Sequence, residues 1–316
     1  MGATRVLVTG GSGFVGRRLV DALRERGDDV VSAAPSGNEG LPLDLTDPLS
    51  VRGVVERVRP ELVFHLAAQT FVPASLDDPL HTYHVNIDGT AYLLEALREQ
   101  QHGGGPNPRL LFTSSAEVYG RRPLEDMPLR ETLPPAPANP YAASKAAGEA
   151  LVLGAHAAFG LDAVITRAFN HIGPGQNARL VVPAFAHGLA RVAAGRDSIL
   201  WVGNVEPERD FLDVRDVVQA YVALADRGAA GEIYNVCSGN AVKVREILRR
   251  LVNIAGVAVE IREDPALVRQ SDVLRSVGDP AKVKRTTGWS PRISLADSLA
   301  EIYAEARAAE TPQEAV

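Results

Sequence analysis

Only one of the 316 residues is cysteine, Cys237. A lone cysteine closes no internal disulfide, so a reducing compartment is the simpler reading. Cys237 ends the apolar run that starts at Ile233, and it reads as a small core residue rather than a nucleophile. Basic runs are also missing. Charged residues make up 23% of the chain and the net charge is −6. A nucleic-acid or anionic-membrane partner calls for a basic patch, so neither is expected. Any anionic ligand must be held by a few placed arginines. No apolar stretch approaches the ~20 residues of a membrane span. The opening MGATRVLVTG enters a strand at once and lacks a signal-peptide layout. There is no internal repeat, no low-complexity domain and no expected metal site. The expectation is a soluble, cytoplasmic protein.

The hydrophobic share, 46%, suits one large domain or two smaller ones. The first half alternates between two patterns. Short β-branched runs at Arg5–Thr9, Val30–Ala33, Leu62–Ala67 and Leu110–Ser114 read as strands, with Val164–Arg167 a further one. Between them Gly13–Arg26, Ser50–Val58, His84–Gln100 and Tyr141–Phe159 read as helices; Ala91, Leu94 and Leu97 share a face of the third. Such alternation predicts βαβ units and an α/β fold with a parallel, doubly wound sheet. The runs VLV, LVF and LLF do not alternate, as strands covered on both faces should not. The second half is less regular. Asn170–Gln176 reads as a loop, Val181–Ala194, Val217–Ala225 and Val244–Ile254 as helices, and Ile233–Val236 as a strand. His102–Pro108, with three glycines, and Arg121–Pro140, with six prolines, look like surface punctuation. Ala306–Val316 is expected to fray.

Strand Arg5–Thr9 runs into a loop with Gly10, Gly13 and Gly16 in GxxGxxG spacing. Gly10 permits the tight turn, Gly13 lets the backbone approach a pyrophosphate, and Gly16 lets the new helix, with Phe14 and Val15 in its first turn, pack on the sheet. A glycine-rich turn without a ligand shares this pattern, but the strand-to-helix context is the one a dinucleotide requires. The next strand tip, Ala33-Ala34-Pro35-Ser36, carries neither the acid that favours NAD(H) nor a base that favours NADP(H). Its small size leans to NADP(H). Asp44 and Leu45 are placed to approach the adenine edge, though Asp44 could equally cap a turn.

Tyr141 and Lys145 stand four apart, so on a helix they share one face. An ammonium there is expected to favour the phenolate and draw the Tyr141 pKa from about 10 toward neutrality. Ser115, just past the carboxyl end of strand Leu110–Ser114, can hydrogen-bond the same substrate oxygen. Ligands of parallel sheets sit at such strand ends.

The glycine loop, His65-Leu66-Ala67-Ala68, Asn86, Ser115 and the Tyr141/Lys145 pair together resemble the extended short-chain dehydrogenase/reductases, over nearly the whole chain. The resemblance implies that Ser115, Tyr141 and Lys145 are catalytic, that Lys145 also bonds the nicotinamide ribose, and that Leu66, Ala67, Ala68 and Asn86 border the cofactor. It implies a Rossmann-type domain over 1–170 and 208–238, a smaller nucleotide-sugar domain over 171–207 and 239–316, and a homodimer paired through the helices at 88–100 and 141–159. The ligand cleft is expected between the domains, with 121–140 able to form one wall.

Within that family, Asn170-His171-Ile172-Gly173-Pro174-Gly175-Gln176, Arg209-Asp210-Phe211 and Arg269-Gln270-Ser271-Asp272 are similar to the GDP-4-keto-6-deoxy-D-mannose reductases, although Gln270 stands where a proline is usual. The similarity implies a GDP-linked 4-keto-6-deoxy sugar as partner. Arg209 and Arg269 would hold its pyrophosphate, Asp272 its ribose hydroxyls, and Asn170 would lie near phosphates and sugar. Glu117 is shared with 4,6-dehydratases, where it acts as a base. Those enzymes carry a threonine two residues earlier, and Ser115 stands there here. The implied reaction is NAD(P)H-dependent reduction of the C4 ketone to GDP-D-rhamnose or its 4-epimer. A dehydratase or 4-epimerase that recycles its cofactor is the near alternative. A non-catalytic NAD(P) sensor is the distant one, disfavoured by the intact Tyr/Lys pair.

Overall fold

The computed structural model describes residues 3–37, 40–267 and 273–310. Its elements in order are β1 (Arg5–Thr9), α1 (Phe14–Glu25), β2 (Asp29–Ala34), β3 (Leu41–Pro42), α2 (Pro48–Val58), β4 (Leu62–His65), α3 (Val72–Asp77), α4 (Pro79–Tyr83), α5 (Gly89–His102), β5 (Arg109–Ser115), α6 (Pro140–Phe159), β6 (Asp162–Ala168), β7 (Asn170–Ile172), α7 (Val181–Ala193), β8 (Ile199–Val202), β9 (Glu208–Asp213), α8 (Val214–Arg227), β10 (Ile233–Val236), β11 (Ala241–Lys243), α9 (Val244–Ala255), β12 (Glu260–Glu263), β13 (Arg275–Ser276), α10 (Ala281–Thr287) and α11 (Leu295–Glu310). Seven strands form one parallel sheet in the order β10-β6-β5-β4-β1-β2-β3.

Both faces of this sheet are covered, which explains the unbroken apolar runs. Val6 and Val8 of β1 join a core with Leu19, Leu23, Leu224 and Tyr221 from α1 and α8. Leu7, between them, faces the other way into a core with Val51, Val55, Leu93, Leu97 and Val152 from α2, α5 and α6. The cost of hiding so much backbone is met by the sheet's own hydrogen bonds.

A second layer lies beyond β6. There β7 pairs with β9, which also pairs with β11 and β13. Helices α7, α9 and α11 close a third core around Phe185, Leu189, Leu248, Leu251 and Ile302. Strand β9 joins the two layers: Phe211 belongs to the third core and its neighbour Leu212 to the first. The chain then returns, since Val283 and Trp289 pack back into the first core. The indole N–H of Trp289 donates to the Asp216 carbonyl at 3.0 Å.

Several expectations need correction. Strand β4 stops at His65, and Leu66 to Ala68 turn out of the sheet. The helix expected from His84 begins as a π turn over His84–Asp88 before α5. Asn170–Ile172, read as loop, is a strand, because β9 offers it a partner that lies far along the chain. Strands β8, β11, β12 and β13 are short, and β9, with the charged sequence ERDFLD, lacks the apolar run that marked the strands of the first sheet.

Candidate active site

The carboxyl ends of β1, β4, β5 and β6 open into a cavity of about 970 Å³. That volume suits a large ligand or two adjoining ones. One end is lined by Gly10, Gly13, Phe14, Val15, Gly16, Ala34, Pro35, Asp44 and Leu45. Gly10 has φ +74°, and a Cβ there would stand 2.8 Å from the Ala67 nitrogen. A Cβ on Gly16 would overlap the Gly10 carbonyl oxygen. This is a cradle that side chains would fill. Helix α1 starts at Phe14 with no side-chain cap, so its first N–H groups are open to an anion. Asp44 closes its own turn at the edge of the cavity. It borders the cavity, and its Oδ1 accepts from the Thr46 N–H at 2.8 Å and the Thr46 hydroxyl at 2.6 Å, bonds that lower its pKa.

Leu66, Ala67 and Ala68 line the floor, placed by the exit of β4. His65 beneath them is a structural histidine. Nδ1 lies 2.7 Å from the Thr9 hydroxyl and Nε2 3.2 Å from that of Thr90, and burial pushes its pKa down to about 3, helped by the Lys145 charge. Asn86 is not among the residues lining the cavity. Its amide is consumed behind it, donating to the Gln69 carbonyl at 3.0 Å and the Ser144 hydroxyl at 2.9 Å, while its Oδ1 accepts from the Gln69 N–H. It braces the wall from within.

At the centre stand Ser115, Glu117, Tyr141 and Lys145. Asn139 caps α6, its Oδ1 accepting from the Ala142 N–H at 2.8 Å, with Pro140 in the first helical turn. The cap sets where α6 begins and so puts Tyr141 at the strand ends. The same Asn139 donates to Glu117 Oε2 at 3.2 Å. Ser115 ends β5 in extended conformation, and its Oγ accepts from the Glu117 N–H at 3.2 Å.

The expected electrostatics of the pair are overturned. Burial pushes the Tyr141 phenol up to about 12; a hydrogen bond with Ser115 opposes the rise and the Glu117 charge adds to it. Burial outweighs the pull expected from Lys145. The lysine's ammonium donates to the Thr113 carbonyl at 2.8 Å and lies 5.3 Å from the centre of the Phe112 ring. Burial brings the Lys145 pKa down to about 8, with Glu149 resisting. Spacing alone placed both side chains on one face, but it could not say that the long lysine stem reaches under β5.

Glu149, a turn beyond Lys145, was not singled out in the sequence. Its Oε1 accepts from the Ser114 hydroxyl at 2.5 Å and from Arg167 Nε at 2.9 Å, and its Oε2 from Arg167 Nη2 at 2.7 Å. Both charged partners are almost fully buried. This pair ties α6 to the ends of β5 and β6.

The far end of the cavity is lined by Asn170, His171, Gln176, Asn177, Leu180 and Ser276. Phe14 stacks on His171 with centroids 6.1 Å apart and planes 10° apart, which links the glycine loop to this end. Arg18 reinforces the link by donating to the Phe14 carbonyl and, closely, to that of Pro174. Arg209 is not among the residues lining the cavity. Its guanidinium donates to the carbonyls of Glu208 and Val273, beside β13. Arg269 and Asp272 lie outside the described residues. No described residue of 121–140 lines the cavity, another correction. That stretch is strapped to the second layer instead, Leu129 N–H donating to the Val277 carbonyl and Asp279 N–H to that of Leu129. Phe71, His81 and Tyr221 border the cavity without having announced themselves in the sequence, since they belong to no recognisable motif.

A doubly wound parallel sheet, a glycine cradle at the first strand-to-helix turn, and a Ser/Tyr/Lys group at the strand ends define the short-chain dehydrogenase/reductase class in its extended form. Residues 7–302 match the model of the GDP-mannose 4,6 dehydratase family, and the chain belongs to that family. It is 40% identical over 306 residues to the GDP-6-deoxy-D-mannose reductase of Pseudomonas aeruginosa, covering 95% of this chain and 96% of that protein. It is 33% identical over 300 residues to the GDP-6-deoxy-D-talose 4-dehydrogenase of Aggregatibacter actinomycetemcomitans, covering 95% and 97%. Among solved structures, RMD from Pseudomonas aeruginosa complexed with NADPH superposes with a TM-score of 0.87 at 38% identity, covering 97% of this chain and all of that one. The Thermus thermophilus UDP-glucose 4-epimerase complexed with NAD gives 0.85 at 33% identity, covering 96% and 99%. No helix among the described residues is long and apolar enough to cross a membrane.

Proposed function

We propose that the protein reduces the C4 ketone of GDP-4-keto-6-deoxy-D-mannose, using NADPH or NADH, to GDP-D-rhamnose or its 4-epimer. The single observation that carries this reading is the placement of Tyr141: a buried phenol beside Ser115 on the cavity wall, whose burial raises its pKa so that it holds its proton at neutral pH. A ketone reduction needs such a proton donor. The identity to a GDP-6-deoxy-D-mannose reductase supports the substrate.

The glycine cradle and the open start of α1 fit the cofactor's pyrophosphate; Asp44 and Leu45 border its adenosine end, and Ala67 and Ala68 its floor. When bound, the reduced nicotinamide supplies the hydride that the C4 carbon accepts. Tyr141 gives its proton to the ketone oxygen while the Ser115 hydroxyl donates a hydrogen bond to that oxygen. Lys145, charged below about pH 8 and held at the Thr113 carbonyl, lines the same chamber, and its charge favours the developing phenolate. Glu117, held by Asn139, borders the same chamber and keeps the local field negative, which favours the protonated phenol before reaction. Asn170 stands where the sugar and phosphates would lie, with Arg209, Arg269 and Asp272 assigned to the nucleotide by resemblance. In this division 1–170 and 208–238 hold the cofactor, and 171–207 and 239–316 hold the nucleotide sugar. A homodimer through α5 and α6 is supported by the small side chains that α6 leaves outward, among them Ala146, Ala147, Ala150 and Ala157. A cytoplasmic setting is supported by the single, buried, unpaired cysteine.

One observation favours a second reading. Glu117 is anchored toward the site, as a dehydratase base would be. Two incubations separate the readings. Purified protein with NADPH or NADH and enzymatically made GDP-4-keto-6-deoxymannose should oxidise the cofactor stoichiometrically, with NMR identifying the 4-hydroxy product. Protein given GDP-mannose alone should leave it unchanged. Formation of the keto sugar from GDP-mannose would make the protein a dehydratase.

A further inference from the structure

The cavity is poor in positive charge. Among the described residues that line it, Lys145 is the only lysine or arginine, and its ammonium is bound to the Thr113 carbonyl. A nucleotide sugar brings a diphosphate, and two anionic phosphates in a protein of net charge −6 need a cation close by. Arg209 is committed to two backbone carbonyls, and Arg18 to two others.

Arg179 differs from both. It lies in the turn 177–180 between β7 and α7, a turn closed by Leu180 N–H on the Asn177 carbonyl and by Arg179 N–H on Asn177 Oδ1, both at 3.0 Å. Its neighbours Asn177 and Leu180 line the cavity. Its exposed side chain crosses toward Phe71, which lines the cavity from the loop after β4, and the guanidinium carbon rests 4.2 Å from the ring centre. No carboxylate among the described residues pairs with it. The second layer therefore reaches over to the first by a cation on an aromatic face, beside the cavity, with no described carboxylate neutralising it.

We propose that Arg179 is a clasp for the diphosphate of the nucleotide sugar: stacked on Phe71 it bridges the two layers, and it turns its planar N–H fork onto phosphate oxygens when the ligand enters. An exposed stack on phenylalanine is weak beside a charge-assisted contact with phosphate, so the exchange runs toward the ligand. Asn177 fixes the turn that carries it, which limits the entropy lost on closing. The proposal rests on the nucleotide-sugar reading above, and it adds a binding residue to it.

The test is calorimetric titration of the whole, NADPH-loaded protein with GDP-mannose, UDP-glucose and dTDP-glucose, in wild type, Arg179→Ala and Arg179→Lys. The expected result for Arg179→Ala is about tenfold or more weaker binding of whichever nucleotide sugar wild type accepts, as for loss of one charged hydrogen-bonding partner. The NADPH affinity and thermal midpoint should stay unchanged, and the salt dependence of sugar-nucleotide binding should flatten. Arg179→Lys should recover part of the affinity, keeping charge without the fork. Equal affinities in wild type and Arg179→Ala overturn the clasp, as does a loss confined to NADPH. Wild type that prefers UDP-glucose, with the Arg179→Ala loss intact, overturns the choice of GDP while supporting the clasp. Wild type that binds none of the three overturns both.

Discussion

The ammonium of Lys145 donates to the backbone carbonyl of Thr113 at 2.8 Å. It is thereby fixed beneath the end of β5, at a carbonyl two residues before Ser115, and its own residue stands one helical turn from Tyr141. A buried cation anchored by a carbonyl cannot wander, so its field at the phenol is set before any ligand arrives, which is what preorganisation requires.

Replacing Tyr141 with Phe should cut reductive turnover roughly 10²–10⁴-fold, the usual worth of a positioned general acid. The ring's packing survives the change, so cofactor affinity and thermal midpoint should hold. Turnover near the wild-type rate in a properly folded Tyr141→Phe protein would refute the proton-donor role.

The pH profile should break near 8 on the alkaline side. Burial lowers the Lys145 pKa to about 8, so its charge is present below that pH and lost above it. Turnover should fall as pH rises from 8 to 10, while Tyr141, with a pKa near 12, stays protonated throughout. The stability contribution of the same lysine runs the other way. An unfolded lysine keeps its proton up to about 10.5, so between 8 and 10.5 the unfolded chain binds more protons and this group favours folding as pH rises. A profile of kcat that stays flat to pH 10 would remove Lys145 from the mechanism, and a Lys145→Met variant should show low turnover with no such break.

Gly10→Ala should weaken cofactor binding and cost about 1–3 kcal/mol of stability, since φ +74° is a strained conformation for alanine and the added methyl meets the Ala67 nitrogen. Fluorescence titration with NADPH and urea denaturation measure the two effects. Unaltered affinity would show that the cradle is not where the pyrophosphate rests.

Breaking the buried Glu149–Arg167 pair from one side is predicted to be costly. Glu149→Gln should lose about 3–5 kcal/mol, because it leaves a buried guanidinium short of its counter-charge. The double change Glu149→Leu with Arg167→Met should cost clearly less than Glu149→Gln alone in chemical denaturation. A double variant less stable than the single would mean that the pair contributes more than charge compensation.

Asn139→Ala should destabilise α6 by about 0.5–2 kcal/mol through loss of its cap. Asn139→Asp keeps the cap but sets a carboxylate against Glu117, so its activity should fall more than its thermal midpoint. Matched losses in the two quantities would argue that Asn139 serves the helix alone.

Much of the site was readable from local chemistry. Glycines at 10, 13 and 16 follow a strand and open a helix, and that context has few other uses. Tyr141 and Lys145 share a helix face by spacing alone. What spacing could not supply was the partner of each group. Nothing in the sequence says that the Asn86 amide bonds Gln69 and Ser144. The rise in the Tyr141 pKa depends on burial by chain segments distant in sequence, and so does the role of Glu149, whose three hydrogen bonds go to residues 114 and 167. Arg179 and Phe71 lie more than a hundred positions apart, and neither belongs to a motif.

By itself, the order of residues determined the parallel sheet, the layered cover of helices, the glycine turn after the first strand and the shared helix face of Tyr141 and Lys145, because each follows from periodicity or from contacts within one turn of chain. Only the tertiary structure decided which charges remain available, which are neutralised and which titrate near neutrality. Those properties come from removing water around groups brought together from separate segments, and desolvation is a property of the assembled interior rather than of any stretch of sequence.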